Sequence, residues 1–168
     1  SSEPETIISR TQLDELGNDH NLNGFGRIDS LPNGKGILLS NYHGITKADN
    51  GTITHLNLKS KKLTPLIKNG FTPRYSKTGH ILYLRDNTLK AREFDIDTLS
   101  VGSDEVTLIS GIRSNPFWGN AQFSISHEGT LVYIPGTNIA KGQFAWVNRA
   151  GEIERLDQFK SATYTRFD

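Results

Sequence analysis

The sequence predicts an all-β fold: a partial β-propeller of antiparallel blades. Three observations predict it. Sixteen glycines stand in 168 residues with only modest helix-forming patterning. A turn glycine recurs at Gly34, Gly79 and Gly129, spaced 45 and 50 residues apart. A short apolar run follows each of those glycines, too short for a helix and bounded by turn signals. A period of about 40 to 50 residues with three or four strands in each repeat is the pattern of stacked propeller blades. An immunoglobulin-like sandwich is the main rival, but it does not predict the self-similarity.

The elements follow in order. The first unit opens with SLPNGKGILLS (Ser30 to Ser40), the second with RYSKTGHILYLR (Arg74 to Arg85) and the third with FSISHEGTLVYIP (Phe123 to Pro135). Each has a hydroxyl or aromatic lead-in, a turn that ends in glycine, and an apolar run. The turns call for glycine because it takes positive φ without steric cost. The runs Ile37–Leu39, Ile81–Leu84 and Leu131–Ile134 read as strands buried on both faces. Second strands are expected at Thr52–Leu58, Thr88–Phe94 and Phe144–Val147, the first two behind the hairpin turns Asp49-Asn50-Gly51 and Asp86-Asn87. Third strands are expected at Leu63–Ile67, Glu105–Ile109 and Glu152–Leu156, the last after the turn Arg149-Ala150-Gly151. The whole chain reads as a single partial propeller domain, residues 1–168, with blades at approximately 25–70, 71–115 and 116–160. Residues 1–24 are expected to form the end of an earlier blade or a cap, and 161–168 the start of a next one.

Composition removes several function classes. Nineteen basic and eighteen acidic side chains leave a formal net charge of +1, which gives no electrostatic case for nucleic acid or an anionic membrane. The densest basic spot, Lys59, Lys61 and Lys62, reads as a solvated turn. The absence of cysteine excludes disulfides, thiolate zinc sites and a cysteine nucleophile. No apolar run reaches the roughly 18 residues of a membrane-spanning helix. The polar, acidic start SSEPETIISR is wrong for a secretion signal.

The chemically suggestive motifs each meet a plainer reading. Asp19-His20-Asn21-Leu22-Asn23-Gly24 copies the opening of a calcium loop, which makes Asp19 the candidate metal ligand. The twelfth position is Ser30 instead of a bidentate Glu, so a connection between blades is favoured. Asn50-Gly51-Thr52 is formally a glycosylation sequon but suits a hairpin turn better. Gly24-Phe25-Gly26 lacks the third glycine of a dinucleotide loop, and neither a Walker sequence nor G-x-S-x-G occurs. The five histidines, His20, His43, His55, His80 and His127, include no helical zinc spacing. His80 and His127 read as turn residues, and His55, mid-strand, is the candidate for a channel-facing contact. Asp95 and Asp97 could coordinate a metal but read as shaping the turn after the second strand. Phe117 and Trp118 lie in the polar, Pro/Gly-flanked segment Ser114–Asn120 and are the candidates for an exposed partner or ligand contact. The alternative for Trp118 is a lid over the blade core. Trp146 reads as core.

Several of these segments resemble a known family. Pro73-Arg74-Tyr75, Thr78–Tyr83, Thr88–Ala91, Phe94-Asp95, Phe123–Ser126 with Gly129–Tyr133, and Ala145–Arg149 with Gly151 are similar to TolB-like propeller repeats, of the kind attached to bacterial serine/threonine kinases. Leu31–Gly36 resembles the family's Pro-Asp-Gly turn with Asn33 in place of Asp, and Asn148 also stands where the family usually has Asp. The resemblance covers residues from about 10 to the end. It implies a six-bladed ring of which this chain is about half, and a periplasmic or extracytoplasmic site in preference to the cytoplasm.

The resemblance implies a non-catalytic module for protein or ligand binding, scaffolding or sensing, with no cofactor and no transferred catalytic residue. The alternative is a propeller fragment of a larger kinase- or peptidase-associated protein, gating or sensing in place of catalysing. A lyase or hydrolase with a channel site would need clustered acids, histidines or a metal, which the sequence does not offer. A partial ring is also expected to self-associate. If each terminal face exposes on the order of 500 Å² of apolar surface, at about 25 cal/mol per Å² it forfeits about 12 kcal/mol, as much as the stability of an ordinary domain.

Overall fold

The structure of the chain is a computed structural model that describes residues 22–43, 51–115, 119–126, 129–136, 145–147 and 153–155. It is all-β, and every strand pairing is antiparallel. The first sheet contains β1 (Leu22–Ser30), β2 (Ile37–His43), β3 (Thr52–Leu56) and β4 (Leu63–Lys68), side by side in chain order. The second repeats that order with β5 (Phe71–Ser76), β6 (His80–Arg85), β7 (Thr88–Asp95) and β8 (Ser100–Ser110). Three pairs follow: β9 (Ser114–Asn115) with β10 (Asn120–Ala121), β11 (Phe123–Ile125) with β12 (Leu131–Tyr133), and β13 (Ala145–Val147) with β14 (Ile153–Arg155). Among the described residues no sheet closes on itself.

The turns obey the expected chemistry. Gly34, Gly79 and Gly129 have φ of +66°, +77° and +88°, in the region that side chains with a Cβ rarely enter. Asp86 and Asn87 both sit at positive φ, +49° and +58°, the two-residue type I′ turn that matches strand twist. Asp95 Oδ1 accepts the backbone N–H groups of Asp97 (2.8 Å) and Thr98 (3.1 Å), so it shapes its turn. Those backbone hydrogen bonds, from Thr98 and then Asp97, hold its carboxyl below the ordinary value.

Two strand expectations need correction. The lead-ins before the glycine turns are themselves strands, β1, β5 and β11, so each of the first two units has four strands in place of three. β8 starts at Ser100, five residues before the expected Glu105. It forms the second sheet's outer edge and is mostly exposed, so no burial period marks its start.

The second sheet carries a core on each face. Ile81 and Tyr83 join Leu38, Ile53, Ile67 and Phe94 between the two sheets. Leu82 and Leu84 join Phe71, Leu89, Ile112, Ala121 and Phe123 on the opposite side. Successive strand residues point to opposite faces, so a strand with two cores must be apolar at every position, as Ile81–Leu84 is. The third run departs from this expectation: Leu131 and Tyr133 are half-buried, while Val132 is 67% and Ile134 49% exposed. On the first sheet, Leu39, Thr54 and Leu56 face away from the second sheet and are buried within the single chain.

Candidate functional site

β1, β5 and β11 come together at one cleft of about 300 Å³ with a mixed polar and apolar lining. It is lined by Asp29, Ser30, Leu31 and Pro32 from the first unit, Arg74, Tyr75 and Lys77 from the second, and Ser124 and Ile125 from the third. The contributions share a register. Asp29, Arg74 and Ser124 each stand five residues before their unit's turn glycine (34, 79 and 129), and Ser30, Tyr75 and Ile125 each stand four before it.

A carboxylate joins the first two strands across this cleft. Arg74 donates from Nη1 to Asp29 Oδ1 at 3.1 Å and to the Ile28 carbonyl at 3.3 Å. The backbone N–H of Tyr75 donates to Asp29 Oδ2 at 2.8 Å. β5 is the edge strand of its sheet, and an edge leaves alternate N–H groups without a ladder partner. Asp29 supplies that partner from the neighbouring sheet. Pro73 is tolerated beside it because an edge position can spare a donor.

On the other side of β5, a hydroxyl makes the joint. Thr72 is fully buried and has φ of +52°, a strained conformation for a β-branched residue. Its Oγ1 donates to the Gly119 carbonyl at 2.8 Å and accepts the Ala121 N–H at 3.1 Å. The third unit is thereby fixed to the strand that carries Arg74.

A second polar cluster lies at the far end of β6, on the face of the second sheet that meets the first. Glu105 accepts from the Tyr83 hydroxyl, from Arg85 Nη1 at 2.8 Å and from Lys90 Nζ at 2.8 Å. Arg85 also donates from Nε to the Asn69 carbonyl (2.6 Å) and from Nη2 to that of Lys68 (2.9 Å), and stacks 5.4 Å from the Tyr83 ring centroid. Burial, and then the bond to Glu105, raise the Tyr83 phenol above its ordinary pKa. Burial pushes the Glu105 carboxyl up, but its bonds to Lys90 and Tyr83 and the charge of Arg85 outweigh that and hold it below 4.5. Every group here is matched within the protein, which marks the cluster as a lock between the second sheet and the 68–69 connection.

The expected site residues fall elsewhere. His55 is buried, 1% exposed, and does not line the cleft. Its Nε2 lies 2.7 Å from the Lys35 carbonyl, and a carbonyl only accepts, so Nε2 carries the proton. A Cβ on Gly36 would stand 2.4 Å from that nitrogen and 2.3 Å from the Leu56 carbonyl oxygen, so the ring and the glycine together fix the turn. Phe117, Trp118 and the metal candidate Asp19 lie outside the described residues, as do His20, His127 and the hairpin residues Asp49 and Asn50. Among the described residues no group of three His, Asp or Glu is placed to hold a metal ion. The cleft residues went unrecognised because Asp29 and Arg74 are 45 positions apart and meet only after folding. Their common offset from the turn glycines is the signal that could have found them.

No protein-family model, no curated protein and no solved structure matches this chain.

Proposed function

We propose that the chain is a non-catalytic binding module, a partial propeller of TolB-like blades that takes a ligand or partner where its inner strands meet. One observation carries the reading: equivalent positions of three successive units line a single cleft. Repeats set side by side about a common axis bring equivalent positions together in this way. The two faces of the second sheet, each with its own core, fit a middle member of such a stack.

The side-chain chemistry favours binding over turnover. The Thr78 hydroxyl lies 3.1 Å from His80 Nδ1, but that nitrogen also lies 3.0 Å from the Thr78 carbonyl. The carbonyl requires the proton on Nδ1, so Nδ1 cannot take one from the hydroxyl. Self-association belongs to the same reading, through the surface that exposes Val132 and Ile134, and sedimentation velocity should show a dimer or larger species.

The test is a screen of small polar molecules against the ¹⁵N-labelled chain. Hits should move the amide signals of Asp29, Ser30, Arg74, Tyr75, Ser124 and Ile125 together. Hits confined to Phe117 and Trp118 would move the site to that segment, and hits scattered over the surface would overturn the reading.

A further inference from the structure

We propose that the cleft binds a small oxyanion, a phosphate or carboxylate group carried by a small molecule. The inference rests on the binding reading above and names its ligand chemistry.

It follows from matching donors to acceptors. Arg85 places Nε, Nη1 and Nη2 all on protein acceptors, and Arg92 directs both Nε and Nη2 to the Gly102 carbonyl. Arg74, which lines the cleft, uses only Nη1 among the described residues. Its Nε and Nη2 have no acceptor among those residues, and these two nitrogens form the edge of the guanidinium fork that receives an oxyanion through two parallel bonds. Lys77 lines the same cleft and forms no ion pair among the described residues. The hydroxyls of Ser30, Tyr75 and Ser124 complete the lining as further donors.

The hydroxyls can accept as well as donate, so the charged groups decide the sign of the ligand. Among the described lining residues Asp29 is the one carboxylate, with one oxygen on Arg74 and the other on the Tyr75 N–H. Arg74 balances its charge, so among those residues Lys77 leaves a formal charge of +1. A cation would meet the wrong sign of charge and an already engaged carboxylate. An apolar ligand would strip water from the free donors without replacing it, at a cost for each. An oxyanion satisfies the donors and the charge together. A volume of about 300 Å³ is the low end of small-molecule sites, which suits a metabolite-sized acid.

The experiment is a titration of the ¹⁵N-labelled full chain with inorganic phosphate and, separately, with acetate, each against sodium chloride at matched ionic strength. Phosphate or acetate should move the Arg74 Nε–H and the Ser30, Lys77 and Ser124 amides along one isotherm, and the tighter of the two names the ligand group. Lys77→Gln should weaken that binding about tenfold. It leaves the Asp29–Arg74 pair intact, so its urea midpoint should match the parent chain and separate loss of binding from loss of fold. Shifts that chloride reproduces, shifts confined to Lys59–Lys62, or unchanged affinity in Lys77→Gln would overturn the oxyanion assignment. If neutral molecules from the screen move the cleft signals and neither anion does, the assignment falls while the binding reading stands. If nothing moves them, both fall.

Discussion

Arg74 and Arg85 belong to the same sheet, each beside one carboxylate, and they are used differently. Arg85 is bonded through three nitrogens to Glu105, Lys68 and Asn69, and the glutamate it meets also holds Tyr83 and Lys90. Among the described residues Arg74 is bonded through one nitrogen, and its carboxylate partner Asp29 is shared with a backbone amide of the strand edge. The first arrangement is closed and the second has donors to spare. Satisfied polar networks stabilise and fix geometry, while unmatched donors in a concave place are the usual mark of a ligand site. Two similar ion pairs thus differ in how far their donors are used, and the proposed reading makes the first a lock and the second a receptor.

Substitutions can break that comparison, beginning with the lock. Glu105→Ala leaves the hydroxyl of the fully buried Tyr83 without its partner and two cations without a counter-charge. It should lower the unfolding free energy by about 2 to 3 kcal/mol, measured by urea denaturation, with no change in phosphate binding. Asp29→Ala should cost less, about 1 to 2 kcal/mol, because it strands one guanidinium nitrogen and one edge-strand N–H in place of a buried phenol and two cations. Unlike the first variant, it should alter the cleft signals.

The pH dependence sharpens the same contrast. Tyr83 has a raised pKa in the folded state, so its contribution is fully present below about 10, the ordinary tyrosine value, and is lost as pH rises above it. Glu105 has a lowered pKa, so its contribution is present above 4.5 and is lost as pH falls below it. Urea midpoints recorded from pH 3 to 11 should fall at both ends, and Tyr83→Phe should flatten the alkaline side. The smallest effect on stability belongs to Lys77→Gln, within about 0.5 kcal/mol, although it should change ligand binding most cleanly.

Much of the local structure was legible in the sequence because short-range chemistry decides it. Gly34, Gly79 and Gly129 take the left-handed turns assigned to them, Asp86-Asn87 closes its hairpin, and Asp95 caps its own turn. Ile81–Leu84 is apolar throughout because both faces of its sheet are covered. Edge strands were harder to read. β1, with the sequence LNGFGRIDS, is rich in glycine and polar residues, and its pairing with β2 is broken by register shifts. β8 opens with the polar SVGSDE and faces solvent, so hydrophobic alternation gives no boundary. The Asp29 bridge was invisible for another reason: it joins a side chain of one repeat to the backbone of the next, and no local window contains both.

The amide of Tyr75 gives the most direct measurement of this architecture. It lies on the edge of β5, and the Asp29 carboxylate reaches it from the adjacent sheet. Native-state hydrogen exchange should find it protected in the parent chain and fast in Asp29→Ala, while Leu82 and Leu84, inside the core, stay slow in both. A Tyr75 amide that exchanges freely in the parent chain would contradict the stacking of the first two units across the cleft.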